Sequence, residues 1–123
     1  MRCFILTAAL VLLPIVVASA ATYVVSPDGS GDFPVIQVAI YIAVDGDSIE
    51  LTDGIFRGEM NRDLDFLGKS ITILSQNGNP AACIIDCQGS ETDLHRGFDF
   101  HSGEDAESVL QGITIMNGLM AGC

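Results

Sequence analysis

His95, Asp99 and His101 share the parity of one extended stretch, so their side chains are expected on a single solvent-facing side. In an extended chain Asp99 and His101 lie ~7 Å apart, close enough to share a cation. The triplets Leu64-Asp65-Phe66 and Phe98-Asp99-Phe100 repeat one apolar–Asp–apolar pattern. Stacked as neighbouring strands, they bring Asp65 and Asp99 one above the other at a spacing of ~4.8 Å. Asp65, Asp99, His95 and His101 therefore form a stripe that a surface cation or a glycan would meet. The competing reading is a solvated polar stripe with a histidine pair. It carries more weight, because no tight His/Cys/Asp spacing marks a metal site. No catalytic residue, cofactor or metal ligand is assigned.

The remaining reactive groups have quieter readings. Asp45-Gly46-Asp47, the stretch from Asp28 to Asp32, and Asp53-Gly54 lack the Asp-x-Asp-x-Asp-Gly run with Glu at position twelve. Turn chemistry accounts for them, since Asp supplies local hydrogen bonds and Gly supplies positive φ. Cys83 and Cys87 sit in the apolar run CIIDC. If that run is extended, their Cα atoms are ~13 Å apart, too far for a disulfide. They read as buried thiols behaving as small hydrophobes. The chain has no Gly-x-Ser-x-Gly elbow, no P-loop and no Asn-x-Ser/Thr sequon.

Positioning such a stripe requires strands, and the chain punctuates itself accordingly. Gly and Asp recur between short runs that alternate apolar and polar, the pattern of half-buried strands. Residues 48–51, 70–74 and 112–116 form one set, with Ile49/Leu51, Ile71/Ile73 and Ile113/Ile115 at alternate positions. The two Asp-centred triplets form a second set. Ile55-Phe56 and Ile84-Ile85 form a looser third. The sets recur in the order first, third, second, an internal repeat that predicts three strands per coil, stacked coil on coil. A hairpin sandwich would instead pair strands adjacent in sequence across short turns. The stacking places Phe66 against Phe100 and Ile71 against Ile113, with Leu64, Phe66, Phe98 and Phe100 pointing inward. One helix is expected from Val35 to Ala43 or Val44, with Pro34 in its first turn. Ile36, Ala39, Ile40 and Ala43 share one face of it. Val38 and Tyr41 leave its outer face unusually apolar.

Residues 22–58 run strand, Gly/Asp-rich loop, short apolar helix, Asp-Gly turn, strand and turn. That order resembles the opening of right-handed parallel β-helix proteins, the pectin lyase-like superfamily, in which a short helix covers one end of the solenoid. The loop Pro27-Asp28-Gly29-Ser30-Gly31-Asp32-Phe33 is similar to the opening loop of pectin methylesterases, a structural feature there and not an active site. The resemblance implies an all-β fold: a right-handed parallel β-helix (solenoid) with a short N-terminal capping helix, incomplete at its C-terminal end. In that family a Thr-x-x-Glu capping box often opens the helix. Here Val35 and Val38 hold those positions and cannot cap, a loss on the order of 1 kcal/mol. The family's catalytic groups lie on middle coils, beyond those this chain reaches.

The ends and the charge set the context. Arg2, an apolar run over residues 4–17 and Ala18-Ser19-Ala20 make a secretory signal pattern with cleavage after Ala20. Residues 1–20 are thus expected to be a signal peptide and residues 21–123 the N-terminal part of a parallel β-helix domain. Of four cysteines, Cys3 falls in the leader, leaving Cys83, Cys87 and Cys123, an odd number. Sixteen Asp and Glu against five Lys and Arg give a net charge of −11. Such a surface repels nucleic acid and anionic lipid, so neither nucleic acid nor a membrane (once the signal is removed) is expected as a partner. It repels polyanionic sugars as well unless cations intervene. The expected role is a secreted or cell-surface module, structural or facing an extracellular polysaccharide, without catalysis of its own. The rival is the N-terminal fragment of a pectin lyase-like polysaccharide lyase or pectin esterase whose catalytic coils are missing. An uncapped last coil at residues 112–116 is also expected to self-associate through its free strand edge.

Overall fold

A computed structural model describes residues 19–104 and 107–119. Residues 1–18 of the expected leader, with Cys3, and also Cys123 lie outside the described residues. The elements run β1 (Thr22–Val25), α1 (Ile36–Ile42), β2 (Ser48–Leu51), β3 (Gly54–Phe56), β4 (Leu64–Asp65), β5 (Thr72–Ser75), β6 (Cys83–Asp86), β7 (Phe98–Asp99), β8 (Val109–Gln111) and β9 (Thr114–Met116). The fold is all-β with one short helix.

The strands form three sheets, ordered β1-β2-β5-β8, β3-β6-β9 and β4-β7. Every pairing between these strands is parallel. Parallel neighbours cannot be joined by tight hairpins: the helix connects β1 to β2, and from β2 onward the chain visits the other sheets before it returns to each one. Alternation within the strands sets which side chains enter the interior. Ile49 and Leu51 on β2, and Ile73 and Ser75 on β5, are buried, with Ile49 opposite Ile73 and Leu51 opposite Ser75. Phe56, Leu64, Phe66, Ile71, Cys83, Ile85 and Cys87 complete a continuous apolar core with no exposed surface.

The third sheet follows expectation, with Leu64 opposite Phe98 and Asp65 opposite Asp99. Ile55 and Phe56 likewise face Ile84 and Ile85. The first set does not follow it. Residues 112–116 do not continue the β2–β5 sheet: β8 takes that place, with Leu110 opposite Ile73 and Val109 opposite Thr72. β9 instead joins β6, with Ile115 opposite Ile85, so Ile71 is not stacked on Ile113. Gly112 is the reason. Its φ of +69° turns the chain between β8 and β9, which makes 109–111 and 114–116 two strands on two sheets. Phe100 is a second correction. It does pack on Phe66, with ring centroids 5.0 Å apart, but it is 50% exposed and Phe98 is half-buried. β7 is the outer strand of its sheet among the described residues, so no further described strand pairs beyond it.

The helix is shorter than expected. Val35 is its extended N-cap and makes no side-chain cap, and Pro34 precedes the cap. Ile36, Ala39, Ile40 and Ala43 are fully buried, while Tyr41 and Ile42 are 53% exposed. The missing cap is supplied from far along the chain. Asn61 Oδ1 accepts the Ile36 N–H at 3.0 Å, and the Met60 carbonyl accepts the Gln37 N–H at 2.9 Å. At the other end the Lys69 ammonium donates to the carbonyls of Ile40, Tyr41 and Ala43 at 2.8, 3.0 and 2.7 Å. The orphan groups of the helix are thus met by the β3–β4 and β4–β5 connections.

Candidate functional site

β4 and β7 present Asp65 and Asp99 outward as register partners. One histidine spans the pair: His101 Nδ1 is 3.2 Å from Asp99 Oδ1, and its Nε2 is 3.6 Å from Asp65 Oδ2. Arg96 Nη1 reaches the same Asp99 oxygen at 3.2 Å. Asp65 Oδ1 also accepts the Leu67 N–H at 2.8 Å. Two stacked carboxylates would repel one another. Here a guanidinium and an imidazole share them.

His95 makes its contacts elsewhere. Its Nδ1 is 2.6 Å from Asp63 Oδ2, and Asp93 Oδ1 lies 3.0 Å from Nε2, close enough for an ion pair but off the hydrogen-bonding direction. Strand β7 begins only at Phe98, so the alternation that joins Asp99 to His101 does not extend back to residue 95. The Asp63 hydrogen bond raises the His95 pKa, against an opposing desolvation, with Asp93 adding to the rise. Desolvation works against ionising Asp63, yet hydrogen bonds from the Arg96 amide (2.8 Å) and from His95 hold its carboxyl below the usual range. Asp63 sits at a φ of +50°, in the left-handed region that Asp tolerates better than most residues.

Asp63 and Asp65 also border a cleft of about 240 Å³ between α1 and the β3–β4 connection. Tyr41, Met60, Leu67, Glu59 and Arg62 line its walls. Gln37 braces the floor. Its side-chain amide donates to the Asp65 carbonyl and accepts the Asp65 N–H, both at 2.9 Å, as a neighbouring strand would. Arg62 is anchored by a 3.0 Å hydrogen bond from Nη1 to the Cys87 carbonyl. The cleft thus combines an exposed aromatic ring with three carboxylates and one guanidinium. Stripe and cleft are one continuous surface, joined through Asp63 and Asp65. The sequence flagged Tyr41 only as an odd exposed apolar residue. Asp63, Arg62 and Glu59 carried no periodic signal, because they lie in an irregular connection.

The loop acids are engaged within the fold. Asp28 accepts the Ser30 hydroxyl at 2.6 Å and the Ser30 N–H at 3.0 Å, and these bonds, the hydroxyl's first, lower its pKa. Asp45 accepts the Ser70 N–H at 2.9 Å, and Asp53 accepts an Asn77 amide proton at 2.9 Å. Among the described residues, no group of three or more His, Cys, Asp or Glu side chains is placed to hold a metal ion. Cys83 and Cys87 are buried free thiols, and desolvation raises both pKa values. No helix among the described residues is long and apolar enough to cross a membrane. Comparisons of the chain with protein-family models, curated proteins and solved structures found no match.

Proposed function

We propose that this chain is an exported, extracellular or cell-surface module, built as the N-terminal part of a right-handed parallel β-helix with α1 as its cap. In this reading it faces a neutral polysaccharide and has no catalysis of its own. The order in which the chain visits its three parallel sheets supports the solenoid. Parallel strands joined by crossovers in one sheet are right-handed in nearly all proteins, which supports the hand. The likeness of residues 22–58 to the pectin lyase-like superfamily belongs to the same proposal.

The observation that carries the glycan-facing role is the cleft beside Tyr41. Sugar rings offer an apolar C–H face and a rim of hydroxyls. Tyr41, 53% exposed on α1, supplies a flat amphipathic surface for the first. Glu59, Asp63 and Asp65 supply acceptors for the second, and Arg62 a donor. Three carboxylates against one guanidinium disfavour an anionic sugar. The test is affinity electrophoresis on a panel of soluble neutral polysaccharides, with pectin and polygalacturonate as anionic controls. A neutral glycan should retard the protein, and Tyr41→Ala should abolish the retardation at unchanged melting temperature. Retardation that survives Tyr41→Ala would remove the cleft from the account. Turnover of pectin or polygalacturonate that is lost on mutating Asp65, Asp99 or His101 would favour the lyase or esterase rival.

A further inference from the structure

Asp47 is buried, 4% exposed, at the turn that leads into β2. Its two oxygens accept backbone N–H groups, Oδ1 from Ala21 at 2.8 Å and Oδ2 from Val44 at 2.9 Å. Among the described residues no Lys, Arg or His forms an ion pair with it. Lys69, the cation that reaches this corner, is bonded to the carbonyls of Ile40, Tyr41 and Ala43. Asp45, in the same turn, adds a second negative charge. A buried carboxylate without a cation is unusual, because desolvation penalises an unpaired charge heavily.

The atom that Asp47 Oδ1 holds is the nitrogen a protease would expose. The motif Ala18-Ser19-Ala20 directs hydrolysis to the Ala20–Ala21 bond. A signal-peptidase-type enzyme adds water across that bond, leaving a carboxylate on Ala20 and an ammonium on Ala21. We propose that Asp47 is a built-in receptor for the amino terminus created by this cleavage, so that processing converts an amide hydrogen bond into a part-buried ion pair. The inference rests on the export reading above. The strand register prepares the site. Thr22 faces Ser48 in the β1–β2 pair, and the Ser48 N–H donates to the Ala21 carbonyl at 2.9 Å. The new terminus therefore immediately precedes β1, already beside Asp47. Ser19 and Ala20, the two residues before the new terminus, are exposed. A charge-assisted hydrogen bond is roughly twice as strong as a neutral one. Cleavage thus fastens β1 at the moment the chain leaves the membrane.

The experiment has two arms. N-terminal sequencing of exported protein tests the reading on which the inference rests, and Ala21 should come first. A different first residue sinks the export site, and the receptor is then tested on protein released with Ala21 first by a specific protease. The second arm compares hydrogen exchange at the Ser48 amide in processed protein with a free Ala21 amine and in the same protein acetylated there. Acetylation keeps an N–H for Asp47 and removes only the charge. The free amine should slow exchange about tenfold, the step between a neutral and a charged hydrogen bond. In Asp47→Asn the two forms should exchange alike. Equal exchange rates in the native-sequence pair would overturn the proposal, and that comparison decides alone if Asp47→Asn does not fold. An acetylation effect that persists in Asp47→Asn would overturn it too.

Discussion

At the residue scale the ionisable groups work mainly through what they hold. Lys69 gathers three carbonyls at the end of α1. Lys69→Met keeps the aliphatic stem and removes the donors, and leaving those acceptors unmet should cost about 2 kcal/mol. Chemical denaturation of the two proteins measures it. The Asp63–His95 pair gives a pH dependence with a definite sign. The His95 pKa is raised in the folded chain. Its contribution is therefore fully present below the unfolded value of about 6.5 and is lost as pH rises through the folded value. Asp63 is lowered, so its contribution is present above the unfolded value of about 3.9 and is lost as pH falls through the folded one. Stability should decline as pH rises above about 6.5 on account of this histidine, and His95→Gln should flatten that limb in a series of urea midpoints. A limb that survives His95→Gln would place the titration elsewhere. Asp99 is one-third exposed and shared by Arg96 and His101, so Asp99→Asn should change stability by less than about 1 kcal/mol.

At the element scale the helix shows how a local rule is satisfied non-locally. Nothing in the sequence around Val35 caps it, and Asn61, 6% exposed, does so from the β3–β4 connection. Asn61→Ala should cost about 1 kcal/mol, as loss of a cap does elsewhere, read as a lowered melting temperature. The aromatic pair Phe66 and Phe100, just past the ends of β4 and β7, separates two environments of one residue type. Phe66 has no exposed surface, and Phe66→Ala should cost about 3–5 kcal/mol. Phe100 is half exposed, and its truncation should cost less than half of that. These contrasts also show what was legible in the chain. Apolar–Asp–apolar triplets fixed the register of β4 on β7, because period-two alternation has only one way to bury its large residues. β2 and β5 were legible as strands of one set, but their register was not. Ile71 and Ile73 are both buried, so the alternation offered two equivalent alignments, and the structure takes Ile73 opposite Ile49. Strand β8 was invisible, because Val109-Leu110 shows no alternation while Ile113-Thr114-Ile115 imitates Ile71-Thr72-Ile73. The cleft was illegible for a different reason. Its acids sit in a connection, where no periodicity reports on placement.

At the scale of the whole molecule the two ends of the stack differ. The helix closes one end with four fully buried side chains. At the other, β7, β8 and β9 are each the outermost strand of a sheet among the described residues, and Phe100, Ile115, Met116 and Leu119 are 38–50% exposed. Free parallel edges beside apolar surface recruit further strands. Residues 21–123 alone should therefore self-associate, with an apparent mass in light scattering that rises with concentration. A monodisperse, cooperatively melting monomer would show that this end is closed. All of these expectations depend on parallel stacking in the observed register, and methyl NOE spectroscopy on Ile, Leu and Val side chains of the folded chain tests that directly. Cross-peaks should link Val25 to Leu51, Ile49 to Ile73, Ile73 to Leu110, and Ile85 to Ile115. Backbone NOEs of antiparallel hairpins joining consecutive runs, or methyl contacts pairing Ile71 with Ile113 in place of these, would contradict the account.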